Sequence, residues 1–463
     1  MIINNIRLLL KHDLTLAERK AIMLASLSSI VEFYDFIILG FMSVYFLDGI
    51  SHQTYISNKI ILLFFIAIFS GYLIKPLGMK LYTRIAPVQE VILVDGGIAA
   101  LIIVATCLIA LVPTTNLTVA LIVLFFSRML QGIASGAEMQ ANIDHLYIKL
   151  SPHNSSYAIL GSVSGNEAGI LLGIVINRLI NLLLTPTQMI AYGWRLAFLI
   201  SAFLSLAIFL LRSKYSQRID ETHCYRKIIP LYKLVQYYFW QVVIATIFSG
   251  VRGSATFIYL IIVPFLLYFS LHYSPLQISE ILFTATMISA VSSFILNNQI
   301  LINHRIDYWI VPLLMAVCSI LLIPAITYLG YSFVLDNGSI LTSVSLLGVL
   351  TGWLRLLAPR LVTGLFPAKK RLAGFNFSTN SGFILSSTLV VILNTGVAGI
   401  IHHFFPEIEF ETLFFLSLIS FTILFAIITL ICILNLTKLI NFKELNQLRR
   451  NLYQFKKVIS ENS

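Results

Sequence analysis

The chain has 463 residues, of which 58% are hydrophobic and only 11% charged. A soluble domain carries roughly 25% charged residues, so this sequence lacks the polar surface a water-soluble body of its size needs, and its apolar excess must face lipid. The formal charge of +11 does not mark a nucleic-acid binder, because the basic residues lie in short stretches between long apolar runs rather than on a polar domain.

A membrane-spanning helix needs about 20 mainly apolar residues. Twelve such runs follow in order: 20–46, 59–83, 90–112, 119–148, 157–184, 192–211, 238–270, 276–300, 308–329, 339–364, 373–402 and 411–436. Residues 1–20 are polar and mildly basic, the first run is too long for a signal core, and further spans follow it, so no cleavable signal is expected.

Basic residues set the topology. With a cytoplasmic N-terminus, 25 of the 31 lysines and arginines fall on the cytoplasmic side, among them Arg7, Lys80, Arg84, Lys149, Arg212, Arg218, Lys370 and Lys443. Lys59, Arg178 and Arg195 fall on the other. This bias predicts a multi-pass membrane protein with both termini cytoplasmic; the expected location is a bacterial-type cytoplasmic (inner) membrane.

The long basic connection after span 6 divides the chain. The expected organisation is an N-terminal six-helix bundle (1–211), a cytoplasmic linker (212–237), a C-terminal six-helix bundle (238–436) and a cytoplasmic tail (437–463). An internal echo supports two related halves. Leu150-Ser151-Pro152 followed by Gly161 and Gly165 is matched by Leu365-Phe366-Pro367 followed by Gly374 and Gly382. Paired halves with a site between them are a common transporter plan. In the tail, Leu445, Leu448, Leu452, Phe455 and Ile459 form an apolar stripe flanked by basic residues. The stripe is short for a coiled coil and reads as an amphipathic helix on the membrane surface.

Charges within the spans are costly, roughly 2.5–3.5 kcal/mol each at a helix centre. Arg128, Arg252 and Arg355 lie deep in spans 4, 7 and 10, and Glu32, Asp35, Glu138 and Glu167 are also intramembrane. At about 1.5 Å per residue, Asp35 lies about 22 Å into span 1 and Arg128 about 14 Å into span 4, both near mid-bilayer. Glu32 and Asp35 share one helix face. One reading is a polar midplane cavity, with arginines attracting a carboxylate and an acid taking a proton. The other is structural, with ion pairs holding the helices together. Gly161, Gly165, Gly169 and Gly173 form a small-residue packing seam, which is also a place where helices can slide. Trp353, beside Arg355, packs or stacks on a solute, while Trp194, Trp240 and Trp309 read as interfacial anchors.

No cofactor is implied. The sequence has no Walker A, GxSxG, HExxH or dinucleotide motif, its four cysteines form no CxxC pair, and His402 and His403 have no partner at metal-ligand spacing. Energy would have to come from an ion or solute gradient.

Several segments taken together resemble the metabolite–proton symporter branch of the major facilitator superfamily. They are Glu32-Phe33-Tyr34-Asp35-Phe36, Lys75-Pro76-Leu77-Gly78, Arg128-Met129-Leu130-Gln131-Gly132 through Gly136-Ala137-Glu138, Tyr192-Gly193-Trp194-Arg195, and Phe366-Pro367 through Arg371 and Gly374. The proline/betaine group is the most similar. The resemblance implies an all-α membrane protein of twelve transmembrane helices in two six-helix bundles. It also implies alternating access and proton-coupled symport of small carboxylates or zwitterions, such as proline, betaine, oxoglutarate, citrate or shikimate. Carried over by position, Asp35, Glu32 and Glu138 form the proton-coupling region. Arg128, Tyr34, Gln131, Arg252, Arg355, Trp353 and Glu167 are the candidate solute contacts. The partners implied are the small solute, protons and the lipid bilayer, with no nucleic acid and no obligatory protein partner.

The sequence departs from that family in one respect. Its Gly-Asp-Arg-x-Gly-Arg loop between helices 2 and 3, which latches the outward-facing state, is replaced by Ala86-Pro87-Val88-Gln89-Glu90. The related loop after helix 8 is reduced to Asn303-His304-Arg305-Ile306-Asp307. A non-transporting sensor or receptor on the same fold is therefore the alternative. A membrane enzyme is disfavoured by the lack of a catalytic constellation.

Overall fold

The computed structural model describes residues 14–51, 58–86, 91–113, 115–150, 154–216, 231–269, 271–302, 310–332, 337–367, 370–386, 394–405 and 410–439. Among these the regular elements are helical. In order they are α1 (Leu16–Ser51), α2 (Asn58–Ile85), α3 (Val91–Ala110), α4 (Leu117–Lys149), α5 (Ser155–Leu183), α6 (Trp194–Ser216), α7 (Phe239–Phe257), α8 (Pro275–Ile302), α9 (Ile310–Ser332), α10 (Asn337–Leu365), α11 (Arg371–Ser386) and α12 (Phe410–Leu439). A further helical segment, Asn394–Phe404, lies between α11 and α12. A helix satisfies its backbone polar groups internally, which lipid cannot do for it.

Eleven helices among the described residues are long and apolar enough to cross a membrane. The expected eleventh span, 373–402, falls on α11 and Asn394–Phe404, with residues 387–393 outside the described set. The loops at 87–90 and 303–309, Trp309 and the tail stripe also lie outside it. Of the expected linker, residues 212–216 continue α6 and Leu231–Tyr237 is helical.

Helix starts follow local chemistry. Thr15 and Glu18 exchange backbone and side-chain bonds at 2.9 and 3.2 Å before α1. Ser274 and Gln277 do the same before α8 at 2.9 and 3.4 Å. Both are capping boxes, in which a hydroxyl and a residue three positions on satisfy orphan amides. Thr185 and Gln188 form a third, leading through the π-helical Met189–Gly193 into α6. A second π-helical segment, Ile258–Ile262, continues α7 toward Val263–Phe269.

The pairing of helices is repeated. In the first half α1 packs on α5, α2 on α4 and α3 on α6; in the second α7 packs on α11, α8 on α10 and α9 on α12. Between the halves α5 meets α8 and α10, and α11 meets α2 and α5. This is the architecture of two six-helix bundles. The most apolar stretch of the α7 segment is wholly buried, whereas those of α3 and α6 are one-third buried. Outward-facing Leu111, Phe126, Phe203 and Leu313 are exposed, as lipid contact requires.

Glycines set two close seams. A Cβ at Gly165 or Gly169 would strike the α1 backbone at Ser26 or Ile30, and one at Gly161 or Gly173 would strike the side chain of Ile22 or Ile37. A Cβ at Gly71, Gly132 or Gly136 would strike the facing backbone of the α2–α4 pair. Trp194 corrects an expectation. It is 1% exposed and packs on Phe46 and Phe198 at 5.8 and 6.2 Å, so it is a core residue and not an interfacial anchor. Trp240, by contrast, is 61% exposed.

Candidate functional site

The face at which α1, α3, α5 and α11 begin and α2, α4 and α6 end carries Lys80, Arg84, Lys149 and Lys214, and is termed the basic face. Two cavities, lined by charged side chains set among apolar ones, run toward it. One lies within the first bundle, among α1, α2, α3, α4 and α6, and spans about 820 Å³ with the open space at its mouth included. The other lies between the halves, lined by α1, α2, α4 and α5 on one side and α7 and α11 on the other, and spans about 920 Å³ on the same basis.

Asp35 lies in the bundle cavity, buried on α1. Its Oδ2 accepts a hydrogen bond from Gln131 Nε2 at 2.6 Å, and its Oδ1 accepts one from the Ser201 hydroxyl of α6. Arg128 does not touch the carboxylate. It donates through Nη1 to Gln131 Oε1 and through Nε to the Ile68 carbonyl at 3.1 Å. The expected Asp35–Arg128 pair is thus a three-residue relay with the Gln131 amide between the charges. The glycine seam between α2 and α4 makes the Ile68 contact possible. A protonated Asp35 needs little rearrangement, because a hydroxyl both donates and accepts and Ser201 can reverse its bond.

Glu32, three residues earlier, pairs with Lys75 of α2 and accepts from Ser135 at 3.1 Å. Lys75 Nζ lies 5.0 Å from the centre of the Tyr72 ring. Glu138 faces Arg212 at 3.6 Å, and Arg212 also donates to Ser28 and Asn142. Arg212, counted above as the first linker residue, is therefore a buried α6 side chain. Glu32 and Glu138 line both cavities, whereas Asp35, Gln131 and Arg128 line only the one within the bundle.

Arg252 is buried on α7 and lines the cavity between the halves. Its guanidinium lies 5.0 Å from the Phe383 ring, and among the described residues no carboxylate stands within ion-pair distance of it. Phe383 belongs to a closed circuit of rings with Phe33, Phe36 and Tyr72, all lining the same cavity, with successive centroids 6.3, 6.1, 6.0 and 6.2 Å apart. Phe257 packs on three of them.

The remaining expected contacts lie elsewhere. Glu167 of α5 and Arg355 of α10 bond each other at 2.8 Å across the two halves, and neither lines the two cavities. Tyr34 is fully buried and donates to the Ala197 carbonyl of α6 at 2.9 Å, as a strut between helices. Trp353 packs on the hydrophobic core and lines neither cavity. Toward the face opposite the basic one the halves are in contact. Arg178 of α5 donates to Ser279 at 3.2 Å and pairs with Glu280 of α8 at 3.7 Å, and Phe65 packs on Phe265 at 5.2 Å.

Several site residues were not evident beforehand. Ser201 and the aromatic circuit carry no charge and do not stand out among apolar spans. Asp95 and His145, 3.2 Å apart near the basic face, sit close to span ends and read as boundary residues. The available signal was spacing, because Gln131, Glu138 and His145 recur every seven residues on α4.

No protein-family model matches the chain. It is 26% identical over 345 residues to a citrate–proton symporter of Klebsiella pneumoniae, a match covering 72% of this chain and 68% of that protein. It is 23% identical over 258 residues to a protein provisionally named a proline/betaine transporter in Staphylococcus haemolyticus, covering 52% of this chain and about half, 54%, of that one. The xylose transporter XylE from E. coli, in a partially occluded inward-open conformation, superposes with a TM-score of 0.64 at 14% identity, covering 92% of this chain and 98% of that one. A bacterial homologue of the human lysosomal transporter Spinster, inward-facing and unoccupied, gives 0.61 at 13% identity, covering 92% and 98%. The structural likenesses establish the fold, and the curated relatives are transporters rather than enzymes. Repeated helix pairing and the solved structures show that this chain has the major facilitator fold, and its sequence is similar to that of curated metabolite–proton symporters.

Proposed function

We propose that the chain is a proton-coupled symporter of a small carboxylate-bearing solute, working by alternating access with its basic face in the cytoplasm. The observation that carries this reading is Arg252, a buried guanidinium lining the cavity between the halves with no acidic partner in reach among the described residues. A charge at membrane depth with no counter-ion in contact is costly, and a solute carboxylate would supply that contact in bidentate form. The neighbouring rings of Phe33, Tyr72 and Phe383 suit an apolar or cationic remainder, which favours a zwitterion or a compact organic acid.

Asp35 takes the proton. It is buried, hydrogen-bonded on both oxygens, and linked to Arg128 only through Gln131. Losing its charge frees Gln131 and Arg128 to reposition α1 against α4. The Glu167–Arg355 and Arg178–Glu280 bridges hold the far face shut, and they must part for the solute to enter there.

Uptake into proteoliposomes under an imposed inward proton gradient tests this, with labelled proline, betaine, oxoglutarate, citrate and shikimate as the panel. Uphill accumulation of one compound, collapsed by a protonophore and abolished in Asp35→Asn, is the expected result. Asp35→Asn should still exchange solute at equal pH. Full accumulation in that variant removes Asp35 from coupling. No flux of any panel compound through folded protein rejects this substrate assignment and leaves the sensor reading in its place.

A further inference from the structure

We propose that the proton leaves Asp35 by a branch of its own, through Glu138, Asp95 and His145 inside the first bundle, while the solute leaves through the cavity between the halves. This rests on the symport reading above.

The two cavities share a wall that includes Glu32, Phe36, Tyr72, Lys75 and Glu138, and differ beyond it. Arg252, Thr379 and Asn380 line only the cavity between the halves, whereas Asp35, Arg128, Asp95 and Arg212 line only the one within the bundle. Gln131, Glu138 and His145 lie seven residues apart on α4. Seven residues make nearly two turns, so each step advances about 10.5 Å along the axis and drifts only ~20° around it. The three side chains therefore share one face of α4, from the Asp35 site to the basic face.

Asp95 supports this route with an observation of its own. It lies on α3 and is buried, its Oδ2 lies 3.2 Å from His145 Nε2, and its Oδ1 is buried with no hydrogen-bond partner. A buried, unpartnered oxygen on a carboxylate that lines the cavity calls for an explanation, and accepting a proton supplies one. The His145 side chain is 23% exposed and lies near the basic face, on the far side of Asp95 from the cavity lining.

The charged and titratable groups around Asp95 come from every neighbouring element. Glu32 and Asp35 lie on α1, Lys75 and Tyr82 on α2, Glu138, Asp144 and His145 on α4, and Arg212 on α6. Asp144 is engaged by Gln140 at 3.1 Å, and Glu138 by Arg212. Asp95 is the carboxylate among them with a buried oxygen left unpartnered among the described residues.

One proton moves through the series. The Asp35 carboxylic acid gives it up and becomes a carboxylate. Water in the cavity carries it to the Glu138 carboxylate, which passes it to Asp95 and on to His145 Nε2, which releases it to solvent. Carboxylate–histidine series are the usual currency of proton relays in membrane proteins, and the cavity has room for a few bridging waters. Because Asp95 lines only the cavity within the bundle, the steps after Glu138 leave the solute cavity and Arg252 aside, and the proton can leave while the solute is still bound.

The test uses the full chain in proteoliposomes, with the panel solute that the wild type accumulates. Asp95→Asn and His145→Ala should each slow proton-driven uptake by about tenfold or more while leaving solute counterflow at equal pH within about twofold. Imidazole added on the basic-face side should restore His145→Ala but not Asp95→Asn, and Asp95→Glu should retain uptake. Parallel loss of uptake and counterflow, without imidazole rescue, would make Asp95–His145 a structural strap between α3 and α4 and overturn the proposal. Full uptake in both variants overturns it equally. Wild-type protein that accumulates no panel solute overturns the symport reading, and this inference with it, whereas wild-type symport beside either failure overturns this inference alone.

Discussion

At the scale of single residues, the cost of charge in a membrane separates two arginines that the sequence presents alike. Arg355 meets Glu167 at 2.8 Å, so its charge is met inside the protein. Arg252 is as deeply buried and faces a cavity, a ring and no acid within reach among the described residues. Arg252→Ala should therefore raise the KM for a carboxylate solute by about ten- to a hundredfold, since a hydrogen bond to a charged group contributes roughly 1.5–3 kcal/mol. The measurement is concentration-dependent counterflow, and an unchanged KM would remove Arg252 from solute binding. Asp35 and Arg128 were legible because a charge in an apolar run needs a reason, and Gln131 only through the motif it shares with the resembled family. The arrangement of the three was not. Gln131 stands between the ions, and Ser201, 166 positions from Asp35, completes the carboxylate's shell. A serine is unremarkable within a span, and nothing local in the chain points from one to the other.

At the scale of helices, contact depends on how closely backbones approach. The α1–α5 seam rests on Gly161, Gly165, Gly169 and Gly173, read from their spacing of four, and the structure places α1 directly against all of them. Gly165→Leu should destabilise the protein by about 1–3 kcal/mol through overpacking. Gly97, where an added Cβ meets nothing within 4 Å, should accept leucine with little change. Thermal unfolding of the two variants in detergent checks this, and equal midpoints would show that the seam does not fix the packing. The α2–α4 seam at Gly71, Gly132 and Gly136 is less regular in sequence, since its glycines are shared between two helices. It is nonetheless the one that brings the Ile68 carbonyl to Arg128. Element ends were readable where capping chemistry marks them, as at Thr15–Glu18 and Ser274–Gln277. The π-helical segments Met189–Gly193 and Ile258–Ile262 were not, because their extra residue per turn leaves the apolar pattern unbroken.

At the scale of the whole molecule, the halves touch on the side away from the basic face and enclose a cavity toward it. The bridges Glu167–Arg355 and Arg178–Glu280 are the polar part of that closure, and Phe65–Phe265 is the apolar part. Glu167→Gln combined with Arg178→Ala should shift the population toward opening on that side. A cysteine replacing Phe65, in a background without the four native cysteines, should then react about tenfold faster with an impermeant maleimide, the change that ~1.4 kcal/mol produces. An unchanged rate would show that the bridges do not hold the closure. By itself the sequence determined the class of protein, the order of its spans, the expected sidedness and the list of buried charges. These follow from apolar run length and the placement of lysine and arginine, properties that need no partner. Only the tertiary structure decided which charges meet, that Arg355 is paired and Arg252 is not, and that Asp35 and Arg252 line different cavities. Those facts depend on helices far apart in the chain packing face to face, and the identity of the facing residue is set by the fold rather than by neighbours in sequence.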